Sequence, residues 1–233
     1  YEIPLRLVGS EMCIRDSKKD LRETVHTALL LCLIAGILIS VLGILFSEWI
    51  LTAIHTKDEL LADALLYLRI YLLGMPALGL YNFGNAVLSA AGDTKRPLYY
   101  LLFSGVLNVL LNLLFVIVFH LGVVGVALAS IISQYLSAVL ILRVLLTTDA
   151  DFAVSLRGLG IVSDKLARIL KIGLPSAFQY AIFAIANLFV QTGVNSFDHV
   201  MVEGNSAAAN ADPLVYDMMA AFYTCLLYTS PSP

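Results

Sequence analysis

The residues of this sequence best suited to bind a ligand are asparagines that lie inside long apolar runs. Asn108 and Asn112 lie one helical turn apart in the uncharged run 97–119. An amide deep in a bilayer costs free energy unless it finds a partner, so such residues mark a polar pathway or a contact between helices. On a pathway, their carbonyl oxygens would bind substrate, water or a cation; in a helix contact, each bond would contribute about 0.6 kcal/mol. We favour the pathway, because two amides on one face exceed what a helix contact requires.

Amides in the neighbouring apolar runs extend this candidate cavity. Asn187 and Gln191 are the better candidates in the last run, since Asn195 lies nearer its outer end. Asn85 suits an interfacial position as well as a cavity, and we assign Gln134 to a helix contact. The predicted cavity residues are Asn108, Asn112, Asn187, Gln191, Gln179, Asn82 and Asn85.

Catalytic and metal-binding patterns are missing from the sequence. The 4 histidines stand alone, without the His-Glu-x-x-His spacing that holds zinc. No Gly-rich loop precedes a Lys-Ser or Lys-Thr pair as in a phosphate site, and residues 204–208 lack the final Gly of a nucleophile elbow. We therefore predict no enzyme activity, no cofactor and no metal site.

The elements that must position these amides are membrane spans. Hydrophobic residues make up 60% of the chain and charged residues 13%, and the mean hydropathy is +0.89. A soluble protein of this length needs more charge to cover its surface. Each long uncharged run is sufficient to cross about 30 Å of hydrocarbon as a helix. We predict an all-α polytopic membrane protein with five complete spans, at 27–47, 70–92, 97–119, 121–142 and 172–197, and a partial sixth at 214–223.

Basic residues gather on one side of these spans. They precede the first span at 18–22, lie between the second and third spans at Lys95 and Arg96, and recur in the connector 147–171. Cytoplasmic loops carry an excess of Lys and Arg, so this side is cytoplasmic.

Helix breakers and charge predict local features of the spans. Gly-Met-Pro at 74–76 should kink the second span, and Pro175 should break the fifth near its cytoplasmic end. The end of the connector, 164–171, alternates basic and apolar residues and should lie at the membrane surface as an amphipathic helix.

The two ends of the chain do not fit this pattern. Residues 1–17 have mixed polarity, and Pro231 and Pro233 interrupt the apolar run at the other end. The reverse complement of one set of codons for 225–230 encodes Met12-Cys13-Ile14-Arg15-Asp16 in a shifted frame. One DNA element in opposite orientations explains both ends, so we interpret 1–17 and 225–233 as translated sequencing-library adapter. Cys32 is then the only cysteine left, and no disulfide is expected.

The ordered motifs of the membrane part resemble those of the multidrug and toxic compound extrusion (MATE) family. They are Ser89-Ala-Ala-Gly92-Asp-Thr-Lys-Arg-Pro97, Leu107-Asn108-xxx-Asn112, Gly122-Val-Val-Gly125-Val-Ala-Leu-Ala129-Ser and Lys171-Ile-Gly-Leu-Pro175. The resemblance implies a twelve-helix transporter with two six-helix lobes, of which this chain holds spans 3–7 and the start of span 8. It divides the chain into a partial N-lobe at 18–146, a cytoplasmic inter-lobe connector at 147–171 and the start of the C-lobe at 172–224.

The same resemblance implies a function for the full-length protein. It would export drugs or toxic organic compounds across the cytoplasmic membrane of a prokaryote, as an antiporter driven by H+ or Na+. Its partners would be a small amphipathic or cationic substrate and the lipid bilayer, with no nucleic acid, and it would be a monomer. Asn112 stands where the family often has Asp, and Phe183 lies near a position where some members have a carboxylate. Neither side chain can carry a coupling proton.

Two other functions remain open from the sequence. A flippase for lipid-linked oligosaccharides, from the same superfamily, would be expected to line its cavity with basic residues, and no Lys or Arg lies in the middle of a predicted span. An integral membrane subunit without transport activity would leave the Asn pair as a helix contact. With two spans of one lobe absent, we expect transport from the full-length protein and not from these 233 residues alone.

Overall fold

The computed structural model describes residues 18–148, 150–155, 158–198, 200–206, 208–209 and 218–219. The described residues form helices and connecting turns, and no strand occurs among them. The helices of 15 residues or more are α1 (Lys18–Ala53), α2 (Asp58–Leu72), α3 (Met75–Ala90), α4 (Lys95–Leu113), α5 (Gly122–Thr147) and α6 (Ser163–Asn195), and residues 200–206 are also helical. A π-helical turn, Leu114–Val118, extends α4.

Four of these helical segments are long and apolar enough to cross a membrane. They are Asp20–Ala53, Lys95–Val118, Gly122–Thr147 and Ser163–Asn195, and the bent pair α2–α3 makes a fifth span. The all-α, multi-pass architecture predicted from the uncharged runs is therefore confirmed. The partial sixth span at 214–223 falls almost entirely outside the described residues, as do the segments 1–17 and 225–233.

The kink predicted at 74–76 is confirmed as a 45° bend between α2 and α3. Leu73 and Gly74 separate the two helices, and Pro76 lies in the first turn of α3, where its missing N–H costs no hydrogen bond. A Cβ on Gly36 of α1 would lie 2.8 Å from Pro76 Cα. Glycine at position 36 therefore lets α1 approach the bend at backbone distance.

The second span begins earlier than its uncharged run suggests. α2 starts at Asp58, whereas the uncharged run starts at residue 70, so residues 58–69 are helical as well. Asp58 and Glu59 lie in the first turn, where the positive end of the helix dipole stabilises acidic side chains. Arg69 is accommodated because its Nε donates a hydrogen bond to Ser47 Oγ of α1, at 3.1 Å.

The polar turn between α3 and α4 reverses the chain through two helix caps. Gly92 has a positive φ of 86°, a conformation that closes helix C-termini and favours glycine. The Asp93 N–H donates to Leu88 O at 2.9 Å, and Asp93 Oδ1 accepts from the Arg96 N–H at 3.2 Å. These roles explain why Gly-Asp stands between the two helices.

The hydrophobic core lies at one end of the α1–α5 bundle. α1 packs against α2 and α3, and α5 packs against α2, α3 and α4. The connector contributes Val154, whose N–H donates to Leu145 O at 2.9 Å. The buried core residues are Leu21, Val25, Leu29, Tyr81, Phe83, Val87, Leu88, Ile141, Leu145 and Val154. We call this the connector end of the bundle, and the opposite end, at His55 and His120, the outer end.

α6 differs from the prediction for the connector and the fifth span. The segment 164–171 is helical as expected, but it forms the first turns of α6 instead of a separate surface helix. Pro175 lies inside the helix and does not end it, because a proline removes one backbone hydrogen bond and membrane helices tolerate that loss.

Candidate functional site

The amide pair of α4 lies along the seam between α4 and α5. Asn112 Nδ2 donates to Asn108 Oδ1 at 3.0 Å, so the shared face predicted from the spacing is confirmed. One turn before the pair, the Ser104 and Ser137 hydroxyls are hydrogen-bonded across the seam at 2.8 Å. Beyond the pair, Phe115 packs so closely on α5 that a Cβ on Gly125 would lie 2.9 Å from its Cβ. The two amides therefore lie between two close contacts.

The carbonyl oxygen of Asn112 is the unusual atom of this pair. It is buried and has no hydrogen-bond partner among the described residues, although Asn108 and Asn112 are each only half-buried. A buried acceptor without a partner carries its full desolvation cost. Such an oxygen is suited to accept a hydrogen bond from a polar ligand or to coordinate a cation.

The two candidate amides of α3, Asn82 and Asn85, differ in how deeply they are buried. Asn82 is exposed, and its neighbours Tyr81 and Phe83 are buried. Asn82 therefore lies on the side of α3 that faces away from the packed helices. Asn85 is half-buried, and its Oδ1 accepts from Ser89 Oγ at 3.3 Å. The Asn85 bond stays within one helix, as an interfacial role would allow.

The amides of α6 do not converge on one face. Gln179 and Asn187 are exposed, and both stay predictions as cavity residues. Gln191 Nε2 donates to Asn195 Oδ1 at 2.8 Å, and Asn195 Nδ2 donates to the backbone carbonyl of Ile54 in α1 at 2.9 Å. Asn195 was ranked below Asn187 and Gln191 because it lies near the outer end, yet it is the amide that joins α6 to the bundle.

Gln134 is confirmed as a residue of a helix contact, and the contact is at the bend of the second span. A Cβ on Gly74 would overlap Gln134 Oε1, and Tyr135 Oη donates to Leu73 O at 3.0 Å. The Gln134 carbonyl oxygen is also buried without a partner in the described part of the chain. α5 therefore packs polar groups directly against the break between α2 and α3.

His26 has a structural role that its isolation in the sequence did not suggest. Its ring is buried, with Nδ1 2.6 Å from Arg22 O and Nε2 2.9 Å from the Ser155 N. Because a carbonyl oxygen only accepts, Nδ1 donates to Arg22 O; Nε2 accepts from the Ser155 N–H and also lies 3.1 Å from Ser155 O. His26 thus fixes the connector on α1. Spacing gave no sign of this, since Ser155 is far away in the sequence. His120 is exposed in its turn, and His199 lies outside the described residues.

Lys165 also links two segments that the sequence places far apart. Its ammonium is 3.1 Å from Asp20 Oδ1, which brings the start of α1 beside the start of α6. The two basic segments that were predicted to share one side of the membrane are therefore adjacent. Within the described residues, no group of three His, Cys, Asp or Glu side chains comes together to hold a metal ion.

With four apolar helices that can cross a membrane, and a fifth span if the bent pair α2–α3 is counted, the chain is a multi-pass membrane protein. The MatE family model matches residues 15–114. A "Probable multidrug resistance protein YpnP" of Bacillus subtilis is 30% identical over 174 residues, which are 74% of this chain and 38% of that protein. The chain belongs to the MATE family of transporters.

Solved structures agree with this assignment. An "inward-facing conformation of a multidrug resistance MATE family transporter" aligns with a TM-score of 0.71 at 27% identity, over 81% of this chain and 44% of that one. An "outward-facing conformation" gives a TM-score of 0.70 at 26% identity, over 79% and 41%. The chain thus spans less than half the length of these relatives. The relatives carry multidrug transporter names and do not favour the flippase alternative.

Proposed function

We propose that the full-length protein is an antiporter that exports small amphipathic or cationic compounds across the cytoplasmic membrane of a prokaryote, in exchange for H+ or Na+. The names of the relatives as multidrug resistance proteins support this class of substrate. Their inward-facing and outward-facing structures support alternating access, in which two lobes rock around a central site.

The observation that carries the proposal is the buried Asn112 carbonyl oxygen. A pair that served only as a helix contact would use this acceptor in a bond across the seam. Instead, the hydrogen bond of the pair runs along α4, from Asn112 Nδ2 to Asn108 Oδ1. The Asn112 carbonyl oxygen is therefore left to accept from a ligand. Its lone pairs suit an ammonium group, a water molecule or Na+.

An amide at position 112 limits what this site contributes to coupling. Asn112 does not titrate, so it cannot take up and release the coupling proton. In this proposal Asn108 and Asn112 bind and orient the substrate or cation, and a proton-driven cycle would need a carboxylate elsewhere in the full-length protein.

Dye efflux from cells that express the full-length protein tests the proposal. Asn112→Ala should reduce export of a fluorescent cationic dye, and Asn108→Ala should do the same, because each removes a ligand-binding carbonyl group. Purified Asn112→Ala protein should lose little thermal stability, since the loss of one hydrogen bond to Asn108 is offset by the removal of a buried oxygen without a partner.

Ser104→Ala is the matched control on the same face of α4. It removes the hydrogen bond between Ser104 and Ser137, and we expect a small loss of stability with normal efflux. If the asparagine variants instead lose stability and keep normal efflux, the pair is a helix contact and its role in the cavity is wrong. If the wild-type protein exports no dye under either an H+ or a Na+ gradient, the proposed antiport is wrong.

A further inference from the structure

The two ends of α6 are attached to α1 by very different sets of contacts. At the connector end, charged, polar and apolar groups from the connector and α6 meet the first turns of α1. At the outer end, α6 reaches α1 through the side chain of Asn195. This difference has consequences for how α6 can move.

The connector end is held by an ion pair between the buried Lys165 ammonium and the Asp20 carboxylate, whose side chain is 46% exposed. The Lys165 side chain is 8% exposed, and its Nζ lies 3.1 Å from Asp20 Oδ1 and 3.9 Å from Asp164 Oδ2. Separating a buried ammonium from its carboxylate partner leaves an uncompensated charge, which is strongly unfavourable. The first turn of α6 is therefore fixed to α1.

The connector reinforces this attachment with buried hydrogen bonds. Thr27 is fully buried, and its Oγ1 accepts from the Val162 N–H at 3.2 Å, directly before α6 begins. One residue earlier in α1, His26 Nε2 accepts from the Ser155 N–H. Val154 is buried in the core between these segments. Moving the start of α6 would thus break several buried contacts together.

The outer end has a weaker attachment. Asn195 Nδ2 donates to Ile54 O at 2.9 Å, and Gln191 orients the same amide by donating to its Oδ1 at 2.8 Å. All three residues are partly exposed, so water can replace this neutral bond when it opens.

The middle of α6 adds little to either attachment. Of the 33 residues of α6, all of which the structure describes, Lys165 is the only buried one. Large side chains such as Phe178, Phe183 and Phe189 are exposed. Between its two ends, α6 is therefore not packed into the α1–α5 bundle.

We propose that Lys165 and His26 are positioning residues that make the connector end of α6 a fixed pivot on α1, and that the Asn195–Ile54 hydrogen bond is an outer contact that opens when α6 swings. This inference rests on the proposed function, because alternating access is what requires α6 to move. Hinge motions use a few fixed residues at element ends, and α6 has such an end where the connector docks.

Cross-linking two cysteine pairs in the full-length protein, with Cys32 and any other native cysteine replaced, tests the pivot. One pair, at Arg22 and Ala167, lies at the connector end, and the other, at Ala53 and Ser196, lies at the outer end; all four positions are exposed. A cleavable bis-maleimide should leave dye efflux unchanged when it joins the first pair. It should abolish efflux when it joins the second, and reductive cleavage should restore it. Loss of efflux on locking the connector end, or normal efflux with the outer end locked, would overturn the pivot.

Nitroxide labels on the same two pairs report the motion without relying on transport. In purified protein, dipolar coupling should stay constant at the connector end and vary at the outer end when dye and coupling ion are added. Constant coupling at both ends, or equal change at both, contradicts the pivot. Absence of efflux from unlinked wild-type protein contradicts the proposed antiport, and the labels still decide whether α6 swings.

Charge reversal separates positioning from simple stabilisation. Lys165→Asp should loosen the connector-end coupling and reduce efflux, because it places like charges beside Asp20. Asp20→Lys combined with Lys165→Asp should restore both. Arg168→Ala is the matched control, since Arg168 pairs with Asp164 on the exposed surface, 63% and 62% exposed. If the double variant folds, as gel filtration would show, without restoring the coupling, Lys165 does not act through Asp20.

Discussion

The connector end and the outer end of the α1–α5 bundle are built differently. At the connector end, large apolar side chains of α1, α3 and α5 form a closed core, with Leu88, Ile141 and Leu145 almost completely buried. The middle and the outer part hold the irregular features, which are the bend at Gly74, the π-helical turn after α4, and the buried carbonyl oxygens of Asn112 and Gln134. One end thus provides a rigid base, and the rest of the bundle keeps the polar groups and helix breaks that a transport cycle can use.

Truncation in the base should give the largest effect of a single substitution. Leu88→Ala removes a side chain that is 1% exposed in the core, and we expect the free energy of unfolding to fall by about 2–5 kcal/mol. Leu45→Ala is the control in the outer part, since Leu45 is 69% exposed and its side chain fills no space between the described helices. Thermal unfolding of the full-length protein in detergent measures both. Equal losses for the two variants would show that the connector end is not a distinct core.

A smaller effect is expected where α1 meets the bend. The added Cβ of Gly36→Ala would lie 2.8 Å from Pro76 Cα, and backbone cannot move aside as a flexible side chain can. We expect a loss of about 1–3 kcal/mol in unfolding free energy, as for other overpacked sites. Gly105→Ala adds the same methyl group to α4 in open space, and it should be neutral or stabilising by up to about 1 kcal/mol. Thermal unfolding measures both variants. If Gly36→Ala were as stable as Gly105→Ala, α1 would not approach the bend as closely as described.

The sequence predicted the features that depend on local patterns, in both parts of the bundle. Uncharged runs located the spans, because length and hydropathy alone decide what crosses a bilayer. Gly-Met-Pro located the bend, and the Asn108–Asn112 spacing located the amide pair, since both depend on neighbours within two turns of the chain.

Contacts between distant segments were not accessible in this way. His26 and Ser155 are 129 residues apart, and Asn195 and Ile54 are 141 apart, so no local pattern pairs them. Charge placed the starts of α1 and α6 on one side of the membrane, but the ion pair between Asp20 and Lys165 depends on tertiary packing. The role of Asn195 was underestimated for the same reason, because depth within a span does not tell which neighbour a side chain meets.

The smallest expected effect concerns how α5 holds the bend between α2 and α3. Tyr135→Phe removes the hydrogen bond from Tyr135 Oη to Leu73 O, which is 3.0 Å long and joins α5 to the residue before the break. Polar bonds between membrane helices contribute about 0.6 kcal/mol on average, so we expect a loss of stability of that size. Tyr99→Phe is the control, since Tyr99 is exposed and lies on α4. If the Tyr135 bond also limits the angle of the bend, amide hydrogen exchange at Gly74 should accelerate in Tyr135→Phe and stay unchanged in Tyr99→Phe. Unchanged exchange in both variants would mean that packing of Gln134 against Gly74, and not the tyrosine hydroxyl, sets the 45° bend.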